Sequence, residues 1–281
     1  MLKLGIIGFP LEHSLSPIMH TAALNHLNIN GEYKAYEIKE EDLEKVFNDL
    51  KKSGLRGFNV TIPYKTKIIP LLDELTLTAQ LARAVNTVTI EPNGKAIGDN
   101  TDVSGFWASL PDEYRKKAPE ITASVLGYGG SASAICLALI QNNFNTLKIY
   151  GRNKQKLDKF KDFLSDAKKK TNSKTNIETS TLKNIDLSGS SLLINTTPVG
   201  MYPDTNNSPV EKDKLSELSK DTLVYDIIYN PKETTLLKYA KELNLKTLNG
   251  IEMLIRQGHT SLCIWLGKEV SAISAMRSAI S

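Results

Sequence analysis

The feature that most constrains this chain is the run Gly127-Tyr128-Gly129-Gly130-Ser131-Ala132. It follows a short apolar segment, Ser124–Leu126, that reads as a strand, and it opens Ala132–Gln141, which reads as a helix. Strand, glycine turn and helix in that order begin a βαβ nucleotide-binding unit. Gly127 permits the tight turn and Gly129 lets the backbone approach a pyrophosphate. The first N–H groups of the helix then face the anion, and Ala132 takes the third small position.

The next strand, Thr146–Tyr150, ends in Gly151-Arg152-Asn153-Lys154. Folds that bind NAD usually place an acid there, against the ribose hydroxyls. An arginine instead removes repulsion with a 2′-phosphate and supplies a planar donor, while Lys154 or Lys156 adds charge. The reading is NADP(H) in preference to NAD.

Around this unit the pattern is α/β throughout. Upstream come a buried strand at Lys3–Gly8, a helix at Ile18–Leu27 with Ser16-Pro17 as N-cap and first turn, and a strand at Glu32–Glu37. An amphipathic helix over Glu40–Lys52, with Leu43, Val46, Phe47 and Leu50 on one face, ends at Gly54. A strand over Gly57–Pro63 runs into Tyr64-Lys65, and after a helix containing Leu77–Ala84 a hairpin turns at Pro92-Asn93-Gly94. Downstream the pattern gives a helix at Lys154–Lys168, strands at Ser191–Asn195 and Leu223–Asp226, a helix at Lys232–Leu243, a strand at Lys246–Leu248 and a helical tail, Glu252–Ile280.

A length of 281 residues suits two hydrophobic cores. The expected architecture is a substrate domain of residues 1–104 and 250–281 around a Rossmann-type domain of 105–249 with a doubly wound parallel sheet. The active site is expected between the domains, whose closure would gate the reaction.

Composition excludes several classes. Lysine and arginine total 35 against 31 acids, with no basic face, which argues against nucleic-acid binding. The densest basic run, Lys168–Lys174, is a solvated helix end without aromatics. The four histidines, His13, His20, His26 and His259, and the two cysteines, Cys136 and Cys263, show no metal-type spacing, so no metal site is expected. The cysteines sit in apolar settings as free thiols of a reducing compartment. No apolar run would span a bilayer and the N-terminal one is too short for a signal peptide, which points to the cytoplasm.

Five further segments then fall into one pattern: Ser14-Leu15-Ser16-Pro17, Asn59 through Lys65, Gly98-Asp99-Asn100-Thr101-Asp102, Asn195 through Met201, and Gly250 through Gln257. Over nearly the whole chain and in this order they resemble shikimate dehydrogenase. The resemblance implies reversible, NADPH-dependent reduction of 3-dehydroshikimate to shikimate, a step of aromatic precursor synthesis.

It also implies residue roles. Lys65 and Asp102 match the dyad at the hydroxyl that is oxidised, with Lys65 the acid/base group or mainly an electrostatic one. Ser14 and Ser16 match carboxylate-binding positions supported by Thr61, while Asn59, Asn86 and Gln257 address ring hydroxyls with Tyr229 nearby. Thr196, Thr197 and Met201 match a loop that approaches the nucleotide, and Ile227 and Gly250 match positions near nicotinamide. Two departures stand out: Gly151-Arg152-Asn153 replaces the Asn-Arg-Thr or Asn-Arg-Ser of many relatives, and Tyr128 replaces a small residue.

Both serines favour shikimate over quinate. The competing readings are a quinate/shikimate dehydrogenase of broader cofactor use, a regulatory homologue that binds NADP without turnover, and an interaction protein whose glycine loop is only a turn. Monomer and homodimer both remain open.

Overall fold

The computed structural model describes residues 1–281 and divides into two compact units, Met1–Ala108 with Leu254–Ser281, and Ser109–Met253.

The first unit contains β1 (Leu2–Gly8), α1 (Ser16–His26), β2 (Gly31–Glu37), α2 (Leu43–Lys52), β3 (Gly57–Val60), β4 (Glu74–Leu75), α3 (Leu77–Ala82), β5 (Thr87–Ile90), β6 (Ala96–Asp99) and α4 (Asp102–Ser109). Its six strands are ordered β2-β1-β3-β5-β6-β4. β1 lies parallel to β2 and β3, whereas β5 runs antiparallel to both β3 and β6. The parallel part needs crossover helices, which α1 and α2 supply. The hairpin makes the antiparallel part, turning where Pro92-Asn93-Gly94 predicts it.

α2 buries Leu43, Phe47 and Leu50 and turns its lysines and acids outward. Phe47 meets Phe58 of β3 edge to face, in a core that includes Ile7, Val60, Ile68 and Val88. Side chains of this size each contribute about 1.5–3 kcal/mol when buried.

In the second unit are α5 (Asp112–Lys116), β7 (Thr122–Leu126), α6 (Gly130–Gln141), β8 (Thr146–Gly151), α7 (Lys154–Lys170), β9 (Asn176–Thr181), β10 (Leu192–Asn195), α8 (Lys212–Leu215), β11 (Leu223–Asp226), α9 (Thr235–Glu242) and β12 (Lys246–Leu248). The sheet order is β12-β11-β10-β7-β8-β9, and every pairing is parallel. Read from β9 this is the doubly wound order 3-2-1-4-5-6, with the direction of winding reversing between β7 and β10. Ligands of such sheets bind outside the carboxyl ends of the strands at that reversal. Leu126 and Asn195 end the two strands there, so the glycine turn and the Thr196 loop begin side by side.

α6 is buried from Ala132 through Ile140, as the central helix of a covered sheet must be. α7 is amphipathic and buries Leu157, Phe160, Leu164 and Ala167 at helical spacing.

The tail forms α10 (Ile251–Leu266) and α11 (Ile273–Ile280). Two hydrogen bonds fasten α10 to the first unit's sheet: the Trp265 indole N–H donates to the Val88 carbonyl at 3.0 Å, and Arg56 donates to the Trp265 carbonyl at 3.2 Å. α11 packs on α1.

Three expectations need correction. The tail is two helices, because Gly267 takes φ +65 and closes the first. Ser16 is not an N-cap: the helix begins at Ser16, Leu15 occupies the cap position, and no side chain caps it. The strand expected over Gly57–Pro63 stops at Val60, where the chain turns and the Tyr64 N–H donates to the Thr61 carbonyl.

Candidate functional site

In the first unit, Lys65 follows the turn after β3, and Asp102 is the first residue of α4. Asn100 holds that helix start: its side-chain oxygen accepts from the Asp102 N–H at 3.1 Å, and its amide donates to the Ala84 carbonyl. Lys65 Nζ meets Asp102 Oδ2 at 2.6 Å, with side chains only 15% and 6% exposed. An ion pair this sheltered interacts far more strongly than a surface pair.

The other carboxylate oxygen, Oδ1, accepts from the Asn86 amide at 2.9 Å. The same amide nitrogen reaches Gln257 Oε1 at 3.1 Å and Thr101 Oγ1 at 3.0 Å. The amide cannot flip without breaking this set, because Asn86 Oδ1 accepts from the Thr101 N–H at 2.7 Å. Lys65, Asp102, Asn86 and Gln257 therefore form one connected group, although Gln257 lies 171 residues from Asn86.

Behind this group lies a layer of buried hydroxyls. Thr87 Oγ1 is within 2.7 Å of Ser261 Oγ and 3.2 Å of Thr101 Oγ1, and Ser261 donates to the Gln257 carbonyl at 3.0 Å. Asn59 faces this layer. Its Nδ2 donates to Ser261 Oγ at 3.0 Å and to the Asn86 carbonyl at 3.1 Å, and its Oδ1 accepts from the Tyr33 hydroxyl at 2.7 Å. Thr87, Ser261 and Tyr33 are absent from the residues named on sequence, and Thr101 is named only within the Gly98–Asp102 segment, without a role. The one signal for Ser261 is its spacing of four from Gln257 on α10.

Ser14, Ser16 and Thr61 belong to the carboxyl ends of β1 and β3. Ser14 Oγ accepts from the Ser16 N–H at 3.4 Å, and the Phe9 N–H donates to the Ile62 carbonyl at 2.9 Å, which joins the two loops at their base. Thr61 is partly exposed.

In the second unit the glycine turn is laid out for an anion. Gly127 has φ +114, and a Cβ there would lie 2.5 Å from Thr196 Oγ1. That hydroxyl donates to the Leu126 carbonyl at 2.6 Å, pinning the Thr196 loop to the end of β7. No side chain caps α6. A helix start of this kind, at the end of a central strand, suits a phosphate.

Arg152 projects beyond the end of β8, exposed and with no partner within the chain. Its neighbours are committed locally: Asn153 caps α7 by accepting from the Lys156 N–H at 3.0 Å, and Lys154 pairs with Asp158. Arg152 and Lys156 take part in no ion pair. Met201 and Tyr229 are partly exposed, and Ile227 and Gly250 lie after β11 and β12.

A doubly wound parallel sheet with a glycine turn at the start of its central helix, together with a unit holding a sheltered Lys-Asp pair among amides, defines the class as dinucleotide-dependent oxidoreductases. The comparisons with known proteins are specific. Residues 6–88 match the family model described as the shikimate dehydrogenase substrate binding domain. Shikimate dehydrogenase (NADP(+)) of Nostoc is 39% identical over 99% of this chain and 95% of its own length. A crystal structure of shikimate dehydrogenase in complex with NADP+ superposes with a TM-score of 0.88 at 39% identity, covering 100% of this chain and 94% of that one. Quinate dehydrogenase from Corynebacterium glutamicum in complex with NAD gives 0.86 at 30% identity, covering 99% and 98%. The chain belongs to the shikimate dehydrogenase family.

Proposed function

We propose that this chain is an NADP-dependent shikimate dehydrogenase, an oxidoreductase that reversibly reduces 3-dehydroshikimate to shikimate in aromatic precursor synthesis. The observation that carries the mechanism is the Lys65–Asp102 contact at 2.6 Å, braced by Asn86 and Gln257.

NADPH, when bound, supplies the hydride. As the ketone carbon accepts it, negative charge grows on the carbonyl oxygen, and Lys65 Nζ stabilises that charge and delivers a proton to it. Asp102 holds the ammonium group in place through Oδ2, while Asn86 fixes Asp102 through Oδ1. In the oxidative direction the same group, as the neutral amine, takes the hydroxyl proton and becomes the ammonium.

Ser14, Ser16 and Thr61 supply hydroxyl donors to the substrate carboxylate, and Asn86, Gln257 and Tyr229 address the ring hydroxyls. Asn59 acts from behind, because both ends of its amide are engaged by Tyr33, Ser261 and the Asn86 carbonyl. The Gly127–Ser131 turn takes the pyrophosphate and Arg152, with Lys156, the 2′-phosphate. Thr196, Thr197, Met201, Ile227 and Gly250 lie toward the nicotinamide. The partners are small molecules, the assembly is a monomer or homodimer, and the compartment is the cytoplasm; no helix is long and apolar enough to cross a membrane.

The test is the initial rate of NADPH formation with shikimate and NADP+, beside quinate and NAD+ in all four pairings. This reading expects shikimate with NADP+ to dominate. A preference for quinate with NAD+ would place the chain with the quinate enzymes.

A further inference from the structure

The carboxylate of Asp226, at the end of β11, is fully buried and takes no part in the chemistry above. It holds three segments at once. Oδ1 accepts from the Ile228 N–H at 3.1 Å and from the Asn195 amide at 3.0 Å, and Oδ2 accepts from the Thr234 hydroxyl at 2.7 Å.

Each partner leads elsewhere. Asn195 accepts, through its own Oδ1, the Thr197 N–H at 3.0 Å and the Thr197 hydroxyl at 2.7 Å. The Ile228 carbonyl accepts from the Gly250 N–H at 3.0 Å, and Gly250 lies so close that a Cβ there would meet the Ile227 carbonyl oxygen at 1.9 Å. Thr234 caps α9. One side chain thus ties together the Thr196–Thr197 loop, the Ile227–Ile228 segment with Gly250, and the start of α9.

All three donors are neutral, so burial dominates and pushes the carboxyl up to about 6, against the pull of Thr234, Ile228 and Asn195. A buried carboxylate without a cation is an expensive connector. Its advantage is geometric: two oxygens accept several bonds at once, whereas an amide of the same size offers a single acceptor.

We propose that Asp226 is a positioning residue for the nicotinamide end of the cofactor site, acting through Asn195 and the Ile228 N–H and leaving the adenosine end around Arg152 untouched. The inference rests on the nucleotide reading given above.

The test is calorimetric titration of the wild type, Asp226→Ala and Asp226→Asn with NADP+ and, separately, with adenosine 2′,5′-bisphosphate, which lacks the nicotinamide. Asp226→Ala is expected to weaken NADP+ about tenfold, the effect of unpairing buried donors, with the bisphosphate unchanged. Asp226→Asn, which keeps one acceptor oxygen, falls between. Asn195→Ala cuts one arm of the same bracket and supplies the reading if Asp226→Ala does not fold. Equal weakening of both ligands, or unchanged NADP+ binding in all variants, overturns the inference. Failure of the wild type to bind the bisphosphate overturns the nucleotide reading itself.

Discussion

The ring of Tyr128 lies against Gly151, so closely that a Cβ at 151 would meet its Cε1 at 2.3 Å and its Cδ1 at 2.4 Å. Two positions that separately depart from the family pattern are therefore one packing unit: the ring occupies the space into which a side chain at the end of β8 would project. Arg152, which follows directly, is the cation assigned to the 2′-phosphate.

The first prediction is a double-mutant cycle on this pair. Gly151→Asn alone should displace the ring, lowering the melting temperature and weakening NADP+ binding. Adding Tyr128→Ala should recover much of both, with a coupling of about 1–2 kcal/mol in stability. Thermal unfolding and NADP+ titration of the four proteins measure it, and additive effects would show the positions to be independent.

His20 makes a second case. It is fully buried, stacked on Tyr33 with ring centroids 4.3 Å apart, and neither ring nitrogen has a hydrogen-bond partner. Burial, aided by repulsion from His259, lowers its pKa from 6.5 to about 3. Between those values the unfolded chain holds a proton that the folded chain does not, so stability falls as pH drops below 6.5. The loss is about 1.4 kcal/mol for each pH unit. His20→Leu should remove this component, so that from pH 6.5 to pH 5 the variant gains about 2 kcal/mol on the wild type. Urea unfolding across that range checks it; a constant difference would mean that His20 takes up its proton as readily in the folded chain as in the unfolded one.

The hydroxyl layer gives a third. Ser261→Ala removes a partner of Asn59, Thr87 and Thr101 from the interior. A cost of about 1–3 kcal/mol is expected for donors left partly unmatched. The effect on turnover should exceed the effect on NADP+ affinity, because the disturbed residues brace Asn86 and Gln257. Steady-state kinetics with cofactor titration separates the two, and an equal loss in both would count against this role.

What the sequence makes legible follows from the range of each interaction. The Gly127 turn, the β5–β6 hairpin and the face of α2 are local signals, complete within about a dozen residues, and the structure bears them out. β9 escapes notice because NIETST is a polar edge strand that buries little beyond Ile177, and β4 because it has only two residues. The hydroxyl layer is invisible for a different reason. Thr87 and Ser261 are small, unremarkable residues 174 positions apart, and only the return of α10 to the first sheet joins them. Asn59 stands out in the sequence, yet the partners of its amide do not, so the reading that turns it toward the substrate misses its inward engagement.

Asp226 carries a fourth prediction, distinct from its effect on NADP+. Its folded pKa of about 6 lies above the ordinary 3.8, so the folded chain takes up its proton more readily than the unfolded one. The stability this contributes is full below pH 3.8 and is lost as pH rises through 6. Relative to Asp226→Asn, the wild type should therefore lose about 2.5 kcal/mol between pH 4 and pH 8. Chemical unfolding of both proteins at the two pH values measures this, and a pH-independent difference would show the carboxylate to be ordinary.

The most direct measurement is of Lys65→Ala, with shikimate and NADP+ as substrates and NADP+ binding followed separately. With Lys65 as the acid/base group, turnover should fall by about 10²–10⁴, while the affinity for NADP+, which is assigned to the other unit, stays near that of the wild type. Turnover within a fewfold of the wild type would contradict the assignment of the Lys65–Asp102 pair to catalysis.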